Sequence, residues 1–243
     1  MTSTTTTNGR LCNQIIRNLA VSFIAEKFNL HVKYASFDLI EKLGIRLFSG
    51  ENKYDDTIIL NDDNYFSVYN SNDLRNNLNP NNNYFQTKEI TNFMYNYLHL
   101  EKNKKLIMEK NKFNSRYNNN NDLYVHIRLT DSAHCNPGLL YYLNTIKTIQ
   151  FDKLYLSTDD LNHNIIHEII KQYPAAVIIK CDEITTIQFA STCKHILLSH
   201  GSFSAMIGYL SFFSTVHYPE YEPDKIWYGD MFSIDRWVQH KVL

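Results

Sequence analysis

Residues 123–160 read LYVHIRLTDSAHCNPGLLYYLNTIKTIQFDKLYLSTDD, and the patterning of this stretch decides the fold. LYVHIRL (123–129) is short and rich in β-branched and aromatic residues, which predicts a strand. A helix is expected near 138–150, and KLYLS (153–157) supplies a second strand. Toward the C-terminus the alternation repeats. Leu161, Ile165, Ile166, Ile169 and Ile170 share one face of a helix expected over 160–173. Strand AAVIIK (175–180), a helix over 183–193, strand HILLS (195–199), a helix over 203–214 and strand TVHY (215–218) follow. Strict strand–helix alternation implies right-handed βαβ units and a mostly parallel sheet with helices on both faces. In such sheets ligands bind beyond the carboxyl ends of the strands, at the mouths of the βα loops.

Toward the N-terminus the same α/β pattern is shorter and less regular. Ile15, Ile16, Leu19, Ala20, Phe23 and Ile24 recur at helical spacing, predicting an amphipathic helix from about Asn13 to Phe28. HVKYA (31–35) and TIIL (57–60) read as strands, and FDLIEKLG (37–44) as a short helix stopped at Gly44. Residues 61–85 show little pattern, with NNLNPNNNYF (76–85) expected as an exposed loop. The stretch 86–110 reads as helix, 114–122 as a linker and 1–7 as a disordered polar tip. The resulting architecture is two α/β lobes, 8–115 and 122–243, with a cleft between them.

Composition narrows the function. A chain of 243 residues with 44% hydrophobic content can bury a real core. Lys and Arg total 24 against 25 Asp and Glu, which excludes a strongly basic nucleic-acid coat or an acidic tail protein. No two of the 7 Gly form G-x-G, so both the dinucleotide-binding loop and the G-x-x-x-x-G-K-[ST] phosphate loop are absent. The 4 Cys lie far apart without a C-x-x-C, which excludes a dense disulfide framework and implies reduced thiols. No apolar run reaches the roughly 18 residues of a membrane helix, and MTSTTTT has no signal-peptide pattern. The expectation is a soluble cytoplasmic protein without stable membrane insertion.

Three βα mouths carry unusual residues. In VHIRLTDS (125–132), His126, Arg128 and Thr130 share one strand parity. An Arg in an otherwise apolar buried strand needs an anion, either a ligand or an internal carboxylate such as Asp131 or Asp159. In LSTDD (156–160), one of Asp159 and Asp160 suits a helix N-cap, and the other is left to face the cleft. In LSHGSFSAMIGYL (198–210), Gly201, Ser202 and Ser204 sit where a strand turns into a helix. That position is either an anion site built from hydroxyls and backbone N–H groups or a plain Ser cap on a core helix. NGRLCNQ (8–14) also precedes a helix: Gly9 and Asn13 suit a tight turn and a cap, and Arg10 is either a surface charge or a second cation facing the cleft. There is no D-x-D, and no His/Cys cluster has metal-ligand spacing. A serine hydrolase is disfavoured because Ser202 and Ser204 lack the G-x-S-x-G flanks.

GRLCNQ, VHIRLTDS, STDD and LSHGSFSAMIGYL, in this order, resemble motifs of the α-1,2-fucosyltransferases and, more distantly, of the α-1,6- and protein O-fucosyltransferases. Gly9, Asn13 and Gln14 match a G-x-x-x-N-Q motif; His126, Arg128 and Asp131 match H-x-R-R-x-D; Ser202, Phe203 and Ser204 match the S-F-S within S-x-S-F-S-W-W. The chain departs from these motifs at Cys12, Leu129, Thr130, Ala205 and Met206. The resemblance implies a GT-B-like fold of two Rossmann-like lobes. It implies an inverting transferase that needs no metal or cofactor and moves fucose from GDP-fucose to a glycan acceptor. Under it, Arg128 takes the β-phosphate, and Ser202, Phe203, Ser204 and their helix tip take the pyrophosphate. His126 and Asp159 or Asp160 contact ribose or base, and Gly9, Arg10 and Asn13 hold the donor from the other lobe. Asp131 acts as general base or orients Arg128. The alternative is a catalytically decayed nucleotide-sugar or glycan-binding module.

Overall fold

The structure is a computed structural model that describes residues 1–4, 9–80, 83–131, 133–220 and 229–242. The chain divides into two compact units, Met1–Leu106 and Ile107–Leu243. The division falls inside a helix, and 114–122 belongs to the second unit.

The first unit is built on α1 (Leu11–Phe28), which ends where Asn29 adopts a left-handed conformation. This helix is not amphipathic in the expected sense. Every residue from Leu11 to Ala25 except Asn13 is buried, so its polar residues are buried too and must find partners. Gln14 donates to the Gly9 carbonyl and accepts from Ser36, Arg17 donates to the Asn83 carbonyl, and Asn18 donates to the Ala35 carbonyl. Short strands pair in parallel beside the helix: β1 (Thr2–Ser3) with β2 (Val32–Lys33), and β3 (Thr57–Ile59) with β4 (Asn77–Asn79). The start of the expected disordered tip is therefore a strand, and Thr2 Oγ1 accepts a hydrogen bond from the Leu78 amide. Residues 5–7 of that tip lie outside the described residues. Likewise β4 falls in the expected loop, where the Asn77 amide bonds the Tyr54 backbone at both its N–H and its carbonyl. Helix α2 (Phe37–Lys42) matches its expectation, and α3 (Tyr65–Asn70) was not foreseen. The stretch 86–110, expected to be helical, forms two helices, α4 (Lys88–Leu98) and α5 (Glu101–Lys110).

The second unit is a six-stranded, wholly parallel sheet. Its strands are β5 (Leu123–Ile127), β6 (Leu154–Thr158), β7 (Val177–Ile178), β8 (His195–Leu197), β9 (Thr215–Pro219) and β10 (Val238–His240). Their spatial order is β10-β9-β8-β5-β6-β7. Counting strands from β5, this is 3-2-1-4-5-6, the doubly wound Rossmann-like order. The two faces can be read from side-chain parity. Leu123, Val125, Ile127, Leu156 and Leu197 point to one core, shared with Tyr141, Tyr142 and Ile146 of α6 (Leu139–Thr148) and Ile166 and Ile169 of α7 (Asn164–Gln172). Residues of opposite parity face the other layer, where the Tyr155 ring lies 4.8 Å from Phe189 of α8 (Glu183–Ala190). On that same face His126 meets Ser204 of α9 (Gly201–Tyr209). Five strands were expected; β10, the sixth, pairs in parallel with β9 at the edge.

Candidate functional site

The order 3-2-1-4-5-6 reverses direction between β5 and β8. At such a switch point the loops leaving the two strands diverge to opposite faces and leave a crevice beyond their carboxyl ends. Two of the islands singled out in the sequence, VHIRLTDS and LSHGSFS, are those two loops. STDD leaves the neighbouring strand β6.

His126 lies on β5, 5 % exposed. Its Nδ1 is 2.6 Å from Ser204 Oγ, and the same oxygen accepts from the Ser199 amide at 3.2 Å. The Ser204 hydroxyl is fully buried, so its proton is satisfied by donation to Nδ1, which leaves the imidazole proton on Nε2. Burial, helped by the nearby His200 and Arg128, lowers the pKa of His126 to about 3, so it is neutral near pH 7. The Phe203 ring packs on the imidazole at 5.0 Å. His126, Phe203 and Ser204, assigned to donor binding, are thus brought together.

Arg128 follows β5 directly. Both of the internal partners left open by the sequence are present: Nη2 pairs with Asp131, and Nε lies 3.3 Å from Asp159 Oδ2. The Arg128 side chain is 16 % exposed, while the Asp131 side chain is 55 % exposed. The two pairings therefore differ in kind. Asp131 is a surface partner, weakly held, whereas Asp159 is fixed by the loop itself. Asp159 accepts from the Leu129 amide at 2.7 Å, the Thr130 hydroxyl at 2.6 Å and the Thr130 amide at 3.4 Å. Burial alone would raise its pKa, but these hydrogen bonds and the Arg128 charge together hold it below the usual carboxylate value. Asp159 is accordingly not a helix cap, and its carboxylate is committed to shaping the loop after β5. Asp160 makes a local turn instead, accepting from the Asn162 amide at 2.9 Å. Helix α7 begins four residues beyond Asp160, at Asn164, and is capped by His163, whose Nδ1 accepts from the Ile165 amide.

At the third mouth α9 begins at Gly201, two residues before the expected start at 203, and its N-cap residue is His200, which makes no side-chain cap bond. Ser202 is therefore inside the first turn and is not the cap. Gly201 has φ +83°, and a Cβ built on it meets nothing within 4 Å, so the backbone there borders open space. Gly9, Arg10 and Asn13 belong to the first unit. Gly9 has φ +84°, and a Cβ on it would lie 2.2 Å from Asn13 Nδ2, which accounts for the glycine four residues before that Asn. Asn13 Oδ1 accepts from Gln86 at 2.8 Å, and Arg10 is exposed at the N-cap of α1.

The sequence reading missed the scaffold under Arg128. Asn136 Nδ2 donates to the Arg128 carbonyl at 2.7 Å and to Tyr142 Oη at 3.1 Å. Tyr142 donates to Ser199 Oγ at 3.0 Å, and Ser199 Oγ accepts from the Arg128 amide at 3.3 Å. Both backbone groups of Arg128 are thus tied to the same polar ring. Ser199 was within reach, as it lies in a quoted island, but Tyr142 reads from sequence only as an apolar helix position. Among the described residues, no group of three His, Cys, Asp or Glu side chains is placed to hold a metal ion. Nor is any helix among them long and apolar enough to cross a membrane. Compared with protein-family models and with curated proteins, the chain matches none.

Proposed function

We propose that this chain is a nucleotide-sugar-dependent glycosyltransferase of fucosyltransferase type, binding GDP-fucose at the switch point of the parallel sheet. The observation that carries this reading is the meeting of His126 with Phe203 and Ser204 of α9 at the diverging loops of β5 and β8, with Arg128 two residues beyond His126 and its backbone amide bonded to Ser199 of the second loop. Two of the motifs that resemble the fucosyltransferases, VHIRLTDS and LSHGSFS, fall where a doubly wound sheet favours a ligand. Arg128 holds the β-phosphate by exchanging its weaker, exposed partner Asp131 for a phosphate oxygen, while Asp159 keeps the guanidinium in place. The backbone N–H groups at the start of α9 face the pyrophosphate. His126, neutral, and Asp160 contact the nucleoside. Gly9, Arg10 and Asn13 of the first unit carry only the donor-binding role that the motif resemblance implies.

In the reaction the bond between the anomeric carbon and the β-phosphate oxygen breaks. The acceptor hydroxyl oxygen bonds from the opposite face, its proton passes to a base, and GDP leaves carrying the electron pair. Fixed cations and dipoles stabilise that departing charge. Removing one such contact costs about 3 kcal/mol of transition-state stabilisation, roughly a hundredfold in rate. The test is donor turnover. Purified protein incubated with GDP-fucose, GDP-mannose, UDP-sugars and dTDP-sugars should release free sugar selectively from GDP-fucose, and Arg128→Ala should lower that rate about a hundredfold. Binding of GDP without any sugar release, with or without glycan acceptors, would favour the binding-module reading. No thermal shift with any of these nucleotides would remove both.

A further inference from the structure

Two adjacent tyrosines of α6 reach across to the end of β8. Tyr141 Oη donates to the Leu198 carbonyl at 2.8 Å, and Tyr142 Oη donates to Ser199 Oγ at 3.0 Å. Both side chains are buried, and Ser199 immediately precedes His200, the N-cap residue of α9. The backbone ladder between β5 and β8 ends at Val125 and Leu197. Beyond that pair, side chains bridge the two loops: His126 meets Ser204, and Ser199 Oγ meets the Arg128 amide. The direction of each bond around Tyr142 is fixed by groups that have one role only. The Gly138 amide donates to Asn136 Oδ1 at 2.8 Å and the Arg128 carbonyl accepts from Asn136 Nδ2, so the Asn136 amide has one orientation. Nδ2 also donates to Tyr142 Oη, whose own proton goes to Ser199 Oγ. Burial pushes the phenol pKa well above its ordinary value, so the hydroxyl keeps that proton.

We propose that Tyr142 is a positioning residue whose hydroxyl couples the loop after β5 to the loop after β8, and so fixes the Arg128 backbone against the start of α9. Its consequence for a diphosphate rests on the function proposed above; the coupling itself does not. A phenylalanine would fill the same volume among the core residues around Tyr142, so packing does not account for the hydroxyl. Buried polar groups oppose folding unless all are satisfied, and a fully satisfied network admits one arrangement of its members. Here the members are both backbone groups of Arg128 and the residue beside the α9 cap. An anion shared between a guanidinium on one loop and N–H groups on the other needs a single spacing of the two, and a misplacement of about 1 Å in such a site is costly. Tyr142 is wholly enclosed, so it acts through Arg128 and not on the ligand.

The experiment compares the full chain with Tyr142→Phe in two measurements. Amide hydrogen exchange needs no ligand. The Arg128 amide should exchange about fivefold faster or more in the variant, while the amides of β6 change only as far as the loss of global stability in urea requires. In calorimetry, Tyr142→Phe should bind GDP about three- to tenfold more weakly, and in an Arg128→Ala background the same substitution should change the affinity by less than about twofold. A merely structural tyrosine would shift all amides together and weaken GDP equally in both backgrounds, and either result would overturn the proposal. Unchanged Arg128 exchange would overturn it as well. If Tyr142→Phe does not fold, Ser199→Ala breaks the same network from its other end and is read in the same way. Absence of GDP binding by the wild-type chain would remove the transferase reading, and the exchange measurement would still decide whether Tyr142 couples the two loops.

Discussion

His126 and Asp131 show how much a single residue's surroundings decide. His126 is fully enclosed and held neutral, with its pKa lowered to about 3 against an ordinary 6.5. As pH falls below 6.5 the unfolded chain takes up a proton that the folded chain refuses until near 3, so stability declines with acid in that window. The slope due to this one group is about 1.4 kcal/mol per pH unit. Urea unfolding of wild type and His126→Gln between pH 7 and 4 should show a shallower pH dependence in the variant; equal slopes would refute a neutral buried imidazole. Asp131 sits at the other extreme, exposed and paired with Arg128. If it competes with phosphate for the guanidinium, Asp131→Asn should tighten GDP binding by about two- to fivefold, the range of an exposed ion pair. If it is also the general base, turnover should drop by about a hundredfold or more while GDP still binds. The sequence exposed the need for an anion at Arg128 but not its choice. Asp131 and Asp159 look alike in a string of letters; Asp131 pairs within the loop it shares with Arg128, and Asp159 pairs once β5 and β6 lie side by side.

Elements were legible where apolar runs were bounded by polar segments and their length told helix from strand. The helices after β5, β6, β7 and β8 and the strands between them were read close to their places on that basis. Their ends shifted by a few residues, as with α9, whose start is set by Gly201 and not by the first serine. Elements stabilised by amide side chains were illegible: β4 reads as an Asn-rich loop, yet Asn77 is buried and hydrogen-bonded to Tyr54. Helix α9 illustrates the packing side. Gly208 sits inside it, and a Cβ there would lie 2.4 Å from Trp237 Cη2. Alanine is the better helix former by roughly 1 kcal/mol, but forcing the indole out of a filled core costs about 1–3 kcal/mol. Gly208→Ala should therefore be neutral to about 2 kcal/mol less stable in denaturant unfolding; a gain in stability would mean that Trp237 yields without cost.

At the scale of the molecule, the alternation of strands and helices announced a parallel sheet, but the order of the strands was not written in it. That order depends on which connections cross to which side, and it is what sets the loops after β5 and β8 side by side at the switch point. β10 was missed for a related reason: a three-residue edge strand, VQH, carries no periodicity of its own and is defined by pairing with β9. The proposed function requires a nucleoside diphosphate to seat where β5 and β8 part, held by Arg128 and the tip of α9. Calorimetric titration of GDP into the wild-type chain and into Arg128→Ala tests this most directly. The account predicts saturable one-to-one binding that weakens about tenfold or more in the variant, the loss of a charge-assisted contact. Equal affinity in the two proteins, or no heat with either, would contradict it.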